Sequence, residues 1–446
     1  LDRRIVLVMH TTSYGAAGFA DACRRAGAAV AVASDRCHVL DRAWLWPEDA
    51  LVIDFSDPGA AAEIIAGAAA AGGGPPVRAV LPVGGELPAR VAALAAARLG
   101  LAANGPEAMI AAGNKLTMRE RLAAAAPGAP ELRQPRFAAR ARDEAPARVA
   151  AAVAAPGGVG FPCVVKPLML SGSRGVIRAD DATSFAAAFA RVARLLRDPA
   201  VERIDPDAAG RILIESFVPG REVALEGLLS DGALEVLALF DKPDPLDGPF
   251  FEETIYVTPS RLPADDQRRI ERATAAAARA LGLRTGPIHA ELRLVPGEAP
   301  VVIEVAARPI GGLCARSLRF EGGLGLEDVV VRHALGEATP APRERRPSGV
   351  MMIPIPVRAP SALRAVDGVD EARAVPGVAD VVVSVRVGET VVPLPEGASY
   401  LGFIFAFADT PAAVEAALRA AAARLHFRLA ELMPIAAAPA GRRTSA

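Results

Sequence analysis

The sequence predicts a mixed fold, an α/β opening followed by α+β units, and three observations point to it. Residues 4 to 33 read strand, helix, strand, the start of an open parallel sheet. Residues 288 to 312 read as a β-hairpin, two alternating β-branched runs around Pro296-Gly297. Residues 346 to 430 alternate short strands with turns and close on a helix over 410–425. A chain of 446 residues suggests two to four domains with ample core.

At the opening, residues 4–9 form a buried strand. The small residues from Thr11 to Gly18 follow, then an amphipathic helix to about Gly27 and a strand over Val30–Ala33. The sheet is Rossmann-like, yet the dinucleotide fingerprint is absent: there is no third glycine, and Asp35 is a weak stand-in for a ribose acid. Strands at 51–54 and 79–83 continue the sheet. Gly84-Gly85-Glu86 then sits at a strand's carboxyl end, where such sheets bind ligands, so Glu86 is a candidate substrate contact or a helix N-terminal charge. Pro106 and Glu107 start a helix over 106–125 that carries Asn114-Lys115 through Arg119.

Residues 127–160 hold a strand near Arg136-Phe137 and a helix within 143–155. Phe161 to Pro167 is a buried strand bearing Lys166, and Ser171-Gly172-Ser173-Arg174-Gly175 follows. Such a loop is commonly a turn; with a lysine just upstream its amides can instead cover a polyphosphate. The Walker-A sequence is missing. A helix over 181–197 and a strand over 211–215 lead to a strand whose alternation puts Glu222, Ala224 and Glu226 on one face. A strand at 234–240 ends in Asp241-Lys242, where Lys242 either meets a substrate carboxylate or pairs with Asp241. Helices at 264–281 and 324–335 flank the hairpin.

If Leu294 pairs with Val301, Glu291 lies opposite Glu304, and His289, Arg293, Ala306 and Arg308 share that face. Two opposed carboxylates, roughly 5 Å apart at Cβ, repel unless a cation lies between them. The economical reading is a divalent-metal site of oxygen ligands, Glu291 and Glu304, with Arg308 aimed at an anion the metal also holds and Gly311-Gly312 letting backbone approach it. A surface hairpin with scattered charges is the plainer alternative.

Composition narrows the function. A net charge of −1 gives no electrostatic case for nucleic acid or an anionic membrane. The first residues lack the h-region and cleavage site of a signal peptide. Cys23, Cys37, Cys163 and Cys314 show no zinc or CxxC spacing and read as reduced thiols, so the expected location is cytoplasmic. Of 50 basic residues only Lys115, Lys166 and Lys242 are lysine, which suggests positions where a compact point charge is needed.

These pieces, in this order, resemble the ATP-grasp superfamily of carboxylate-amine ligases over nearly the whole chain. The marks are Asn114-Lys115 through Arg119, the Val-Val-Lys166-Pro strand with its glycine loop, the run from Glu215 through Val218 to Glu222, and the Glu291–Glu304 pair with Arg308. The resemblance implies a Rossmann-like domain over 1–105, an ATP-grasp domain over 106–345 with a lid subdomain about 135–215, and a C-terminal α+β cap over 346–435; the Ala-, Pro- and Arg-rich composition from about 436 predicts a disordered tail. It implies ATP and Mg2+ (or Mn2+) as cofactors. Lys115, Lys166 and the loop residues Ser171, Gly172, Ser173 and Gly175 would meet phosphates. Glu215 and Val218 would form the adenine hinge and Glu222 would bind ribose. Glu291 and Glu304 would hold metal. Arg308, Lys166 and His289 would be catalytic, His289 as a supporting group or as base for the amine. Arg308 would also bind substrate, and the residues read above, Glu86, Lys242, Gly311 and Gly312, are the further candidates for substrate binding.

One departure stands out: where the family's metal motif has Asn, this chain has Ala306. The Glu-x-Ala-Ala-Arg-x-x-Gly-Gly version, with Asp241-Lys242 and Phe250-Phe251-Glu252-Glu253, is similar to the branch of L-amino-acid ligases that make dipeptides. The expected function is therefore ATP-dependent joining of a small-molecule carboxylate to an amine through an acyl phosphate. Bicarbonate activation, a non-catalytic nucleotide sensor and a nicotinamide oxidoreductase are the competing readings. The apolar C-terminal unit could supply a homodimer face.

Overall fold

The computed structural model describes residues 2–11, 13, 15–35, 50–337 and 346–432; Cys37 and the tail from 436 lie outside them. The N-terminal part alternates β1 (Arg4–Met9), α1 (Ala16–Arg25), β2 (Ala29–Ser34), β3 (Ala50–Val52), α2 (Pro58–Ala70), β4 (Val77–Val83) and α3 (Glu86–Arg98). The sheet runs β3-β2-β1-β4, all pairs parallel, so the strand order reverses between β1 and β4. The crevice at such a reversal is where open parallel sheets bind ligands, and here it faces the rest of the molecule.

The helix expected over 106–125 is two helices, α4 (Pro106–Gly113) and α5 (Lys115–Ala125). Asn114 breaks it with an extended backbone (φ −116°, ψ 112°), and its side chain accepts from the amides of Leu116 and Thr117. Asparagine is a strong N-cap because its oxygen satisfies donors that the helix leaves open. The break puts Lys115 at the first position of α5, and its amide donates to Leu168 O (2.8 Å).

β5 (Phe137–Ala141), α6 (Pro146–Ala154), β6 (Cys163–Pro167), β7 (Ile177–Ala179), α7 (Ala182–Leu196), the one-turn helices α8 (Pro199–Glu202) and α9 (Pro206–Ala209), and β8 (Arg211–Ser216) build a four-stranded sheet ordered β5-β8-β6-β7. Its apolar face packs on α6 and α7, with Phe185 and Phe189 fully buried.

The third layer is an eight-stranded sheet. It uses β9 (Arg221–Ser230), β10 (Ala233–Asp241), β11 (Ile255–Thr258), β12 (Gly286–Leu294) and β13 (Val301–Ala306), with α10 (Ala264–Leu281) and α11 (Leu326–Ala334) against it. It then continues into β14 (Ser348–Ile353). After β14 come β15 (Ser361–Asp367), α12 (Val369–Arg373), β16 (Val378–Val383), β17 (Thr390–Val391), β18 (Gly402–Phe407), α13 (Pro411–Ala422) and β19 (His426–Glu431). Ile255–Thr258 pairs with Ser348–Met351 through a full antiparallel register, so the C-terminal unit is not separate but shares one sheet with the hairpin. Strands β15 and β19, which the sequence reading did not find, form a small sheet of their own with β17. Among the described residues no helix is long and apolar enough to cross a membrane.

Candidate active site

The hairpin is the floor of the site. The β-branched, alternating residues of β12 and β13 bury Ile288, Ala290, Leu292, Val302 and Val305 on one face, which leaves His289, Glu291 and Glu304 on the other. Arg293 pairs with Val301 and Leu292 with Val302, one residue out of step with the expected Leu294–Val301 register. A bulge at Ile303 then restores the count, and Glu291 does face Glu304. Arg119, 1% exposed, secures the bulge: its guanidinium donates to the carbonyls of Val302 (3.3 Å) and Ile303 (2.6 Å). The two carboxylates are 19% and 23% exposed, and both line the cleft. Opposed hard-oxygen donors open to a cavity fit a divalent ion of the Mg2+ class. Ala306 contributes no oxygen; it lies directly opposite His289.

On one side of this floor is a cavity of about 90 Å3 lined by Lys115, Lys166, Glu215, Phe217, Val218 and Glu222. Lys166 donates to Glu215 at 2.6 Å, and Arg119 donates to the same carboxylate at 2.7 Å. Burial alone would raise the Glu215 pKa, but the two cations hold it down to about 2. Lys166 is pushed below the usual lysine range, by burial first and by the nearby Arg119 and Lys115 charges. Lys115 Nζ donates to Leu170 O (2.9 Å) and stands 3.7 Å from Glu304. Val218 O accepts from Arg293 (2.9 Å), whose Nε also donates to Glu222 (2.9 Å), so this arginine fixes the hinge to the strand. Serine and glycine of the 171–173 loop close over the junction, with Leu170, Gly172 and Ser173 all in left-handed backbone. Non-glycine residues in that region are uncommon and cluster at ligand clamps.

On the other side lies a larger cavity of about 370 Å3, lined by His289, Ala306, Arg308, Gly311, Gly312 and, from the reversal point of the N-terminal sheet, Gly84 and Gly85. His289 Nδ1 donates to the fully buried Glu226 at 2.9 Å, and Nε2 stands 3.6 Å from Glu291. Burial opposes a charge on this ring, but the two carboxylates outweigh it and lift its pKa to about 9. A charged imidazolium donates to its neighbours, which favours the supporting role over the base. Glu86 reaches the site only through Arg308, at 3.9 Å, beyond hydrogen-bond range. It is the first residue of α3, where its charge meets the helix dipole.

Two further expectations meet a different geometry. Lys242 neither pairs with Asp241 nor lines the larger cavity. Three carboxylates take its ammonium, while Asp241 is taken by Ser260 and Arg261. Gly175 does not offer its amide to the cleft. The N–H donates to Pro395 O (2.8 Å), and a Cβ there would lie 2.7 Å from Pro167 Cγ. The sequence reading gave no role to Tyr256. Its hydroxyl donates to Glu253 at 2.6 Å, and both residues line the larger cavity. The β-branched and aromatic run Ile255–Thr258 was the available signal for that strand.

Comparison with known proteins follows the same lines. Residues 159–317 match the ATP-grasp domain and residues 355–430 match the L-amino acid ligase C-terminal domain 2. Uncharacterized protein y4rH of Sinorhizobium fredii (strain NBRC 101917 / NGR234) is 28% identical over 317 residues, 71% of this chain and 61% of that protein. Alanine--anticapsin ligase of Bacillus subtilis (strain 168) is 27% identical over 185 residues, 39% of this chain and 38% of that one. The chain thus spans less than two thirds of either relative. A crystal structure of L-amino acid ligase from Bacillus licheniformis superposes with a TM-score of 0.77 at 25% identity, covering 96% of this chain and 99% of that one.

Proposed function

We propose that this chain, which has the ATP-grasp fold and carries an L-amino acid ligase C-terminal domain, is an ATP-dependent carboxylate-amine ligase that joins an amino acid to an amine, as in dipeptide formation. One observation carries the reading. Lys115, Ser173, Glu291 and Glu304 line both cavities, so the two spaces meet at the paired carboxylates and Lys115. A nucleotide in the smaller cavity would direct its phosphates to that junction, and a carboxylate in the larger would meet them there.

The chemistry is two displacements. A substrate carboxylate oxygen attacks the γ-phosphorus, the bond to the β-bridging oxygen breaks, and ADP leaves. An amine nitrogen then attacks the acyl carbon, the bond to the phosphate oxygen breaks, phosphate leaves, and the amine proton passes to solvent. Both steps need charge neutralisation and placement more than covalent help. A divalent ion, when bound, supplies positive charge across the transferred phosphoryl group. Glu291 and Glu304 would hold it; Mg2+ is the expected ion, and Mn2+ accepts the same oxygens. Lys115 and Lys166 would hold the phosphate oxygens, and Glu215 keeps Lys166 in place. Arg308 would take the charge of the acyl phosphate and of the tetrahedral state after it. His289 orients Glu291, and Gly311 and Gly312 admit the substrate close to backbone. Glu222 and the Val218 hinge would receive the nucleoside.

The reading extends to two coarser matters. Buried, unpaired thiols at Cys23, Cys163 and Cys314 fit a reducing, cytoplasmic setting. A homodimer through the C-terminal unit would be tested by sedimentation.

The deciding experiment is phosphate release from Mg-ATP against single and paired L-amino acids, with Glu304→Gln as control. Release that requires two amino acids and disappears in the variant supports the ligase and identifies its substrates. Bound ATP without release for any pair would remove the dipeptide reading.

A further inference from the structure

Glu222 on β9, Glu291 on β12 and Glu253 in the loop before β11 each bring one carboxylate oxygen to a common point, all within 4.8 Å of one another. Three half-buried carboxylates this close repel one another unless a proton or a cation lies between them, and a divalent ion with oxygen ligands is a common solution. Here the centre is filled by the chain itself. The Lys242 ammonium lies 2.7 Å from Glu222, 2.5 Å from Glu253 and 2.9 Å from Glu291, so each of its three N–H bonds has an acceptor. Its side chain is 3% exposed. The Tyr256 ring lies 4.8 Å from the ammonium and closes the remaining side.

We propose that Lys242 is a tethered cation: it holds Glu222, Glu253 and Glu291 in place of a metal ion, and confines any divalent ion at this site to Glu304 and the remaining oxygen of Glu291. Two independent facts support this. Ala306, on the neighbouring strand, brings no side-chain oxygen, so among the described hairpin residues that line the cleft Glu304 is the one carboxylate outside the lysine-bound triad. And lysine persists here although all but three of the 50 basic residues are arginine; a compact ammonium with three diverging donors suits three separate carboxylates, which a planar fork does not. A covalently held cation cannot leave with the product. The acids on which Glu291 depends therefore stay assembled when the nucleotide is absent. Lys242 is a positioning residue: it acts on the metal site through Glu291. The inference rests on the ligase reading only in taking Glu291 and Glu304 as metal ligands.

The test is Mn2+ titration of the full chain, read by electron paramagnetic resonance, with a non-hydrolysable ATP analogue present and no amino acid. In the parent chain, Glu304→Gln should weaken Mn2+ at least as much as the roughly 10–100-fold that follows loss of a supporting partner. Glu253→Gln should leave the number of bound Mn2+ ions as it was. Lys242→Met, shown to be folded by circular dichroism, should gain one Mn2+ per chain, and adding Glu253→Gln should abolish the gain. A parent chain that loses an Mn2+ in Glu253→Gln would overturn the proposal, as would a folded Lys242→Met that gains none or a parent chain that binds none. If Lys242→Met does not fold, the Glu253→Gln comparison decides alone. Phosphate release is a separate readout, so a chain that turns over no amino-acid pair leaves the Mn2+ result standing.

Discussion

Arg119→Met removes the group on which the geometry of both carboxylate sites converges. The guanidinium of Arg119 is buried, donates to Glu215, and caps the carbonyls of Val302 and Ile303 at the bulge. Methionine fills similar volume and restores none of these bonds. Breaking one partner of a buried ion pair costs about 3–5 kcal/mol. An orphaned buried carbonyl costs about 1–3 kcal/mol more, part of which relaxation of the bulge recovers. Lys166 still accompanies Glu215 at 2.6 Å, which keeps the loss near the lower end of that sum. The expected destabilisation is therefore about 4 kcal/mol, read as a shift of the urea midpoint with the slope unchanged. Arg119→Lys keeps the charge but cannot reach a carboxylate and two carbonyls at once, so it should recover only part. A methionine variant within about 1 kcal/mol of the parent, or a lysine variant equal to it, would show that Arg119 does not hold the bulge.

Three more outcomes follow from the same structure. Glu215, near 4.5 when unfolded and about 2 when folded, contributes stability that is complete above pH 4.5 and lost as pH falls toward 2; the 2.5-unit difference corresponds to about 3 kcal/mol. Urea titrations from pH 6 down to pH 3 should show this slope in the parent and lack it in Glu215→Gln; equal slopes would count against it. Gly175→Ala, with φ +76° and a Cβ 2.7 Å from Pro167, should cost about 1–2 kcal/mol and speed amide exchange over 171–177; unchanged exchange would refute it. Cys23 and Cys163 are pushed up to about 12 by burial, so at pH 8 roughly one thiol in ten thousand is ionised. A disulfide reagent should leave both unmodified until the chain unfolds, and rapid labelling of either in the native protein would contradict their burial.

Period and polarity carried much of the fold in the sequence. The helix over 264–281 lies where its 3.6-residue pattern puts it, and Glu222, Ala224 and Glu226 share the face that alternation assigns them. Non-local decisions were not legible. Nothing near Ile303 announces a bulge, because it depends on Arg119, 184 residues away in the chain, capping the freed carbonyl. The correct pairing of Glu291 with Glu304 was reached from an incorrect starting register, and the two errors cancelled at the bulge. The break at Asn114 was legible and was missed: Gly113-Asn114 supplies a helix stop and an N-cap, but continuous helix propensity on both sides hid it. Lysine at 242 stands out in an arginine-rich sequence, whereas its partners come from three segments that only the folded sheet brings together.

The loop over 171–175 owes its position to the far end of the chain. Gly175 donates to Pro395 O, Arg174 donates to Glu396 O at 2.7 Å, and Arg191 on α7 grips the Glu396 carboxylate with two bonds of 2.7 and 2.8 Å. The ion pair is more than a third exposed on both sides, so solvent screening limits it to about 1 kcal/mol or less. Two backbone-acceptor bonds add about 1 kcal/mol each, against the cost of ordering the loop. A net hold of about 2 kcal/mol corresponds to roughly thirty closed loops for each open one. That is firm enough to keep Ser171 and Ser173 at the larger cavity, with Ser173 at its junction with the smaller one. The C-terminal unit therefore contributes to the site twice: Pro395 and Glu396 hold the loop, and Tyr400 lines the larger cavity.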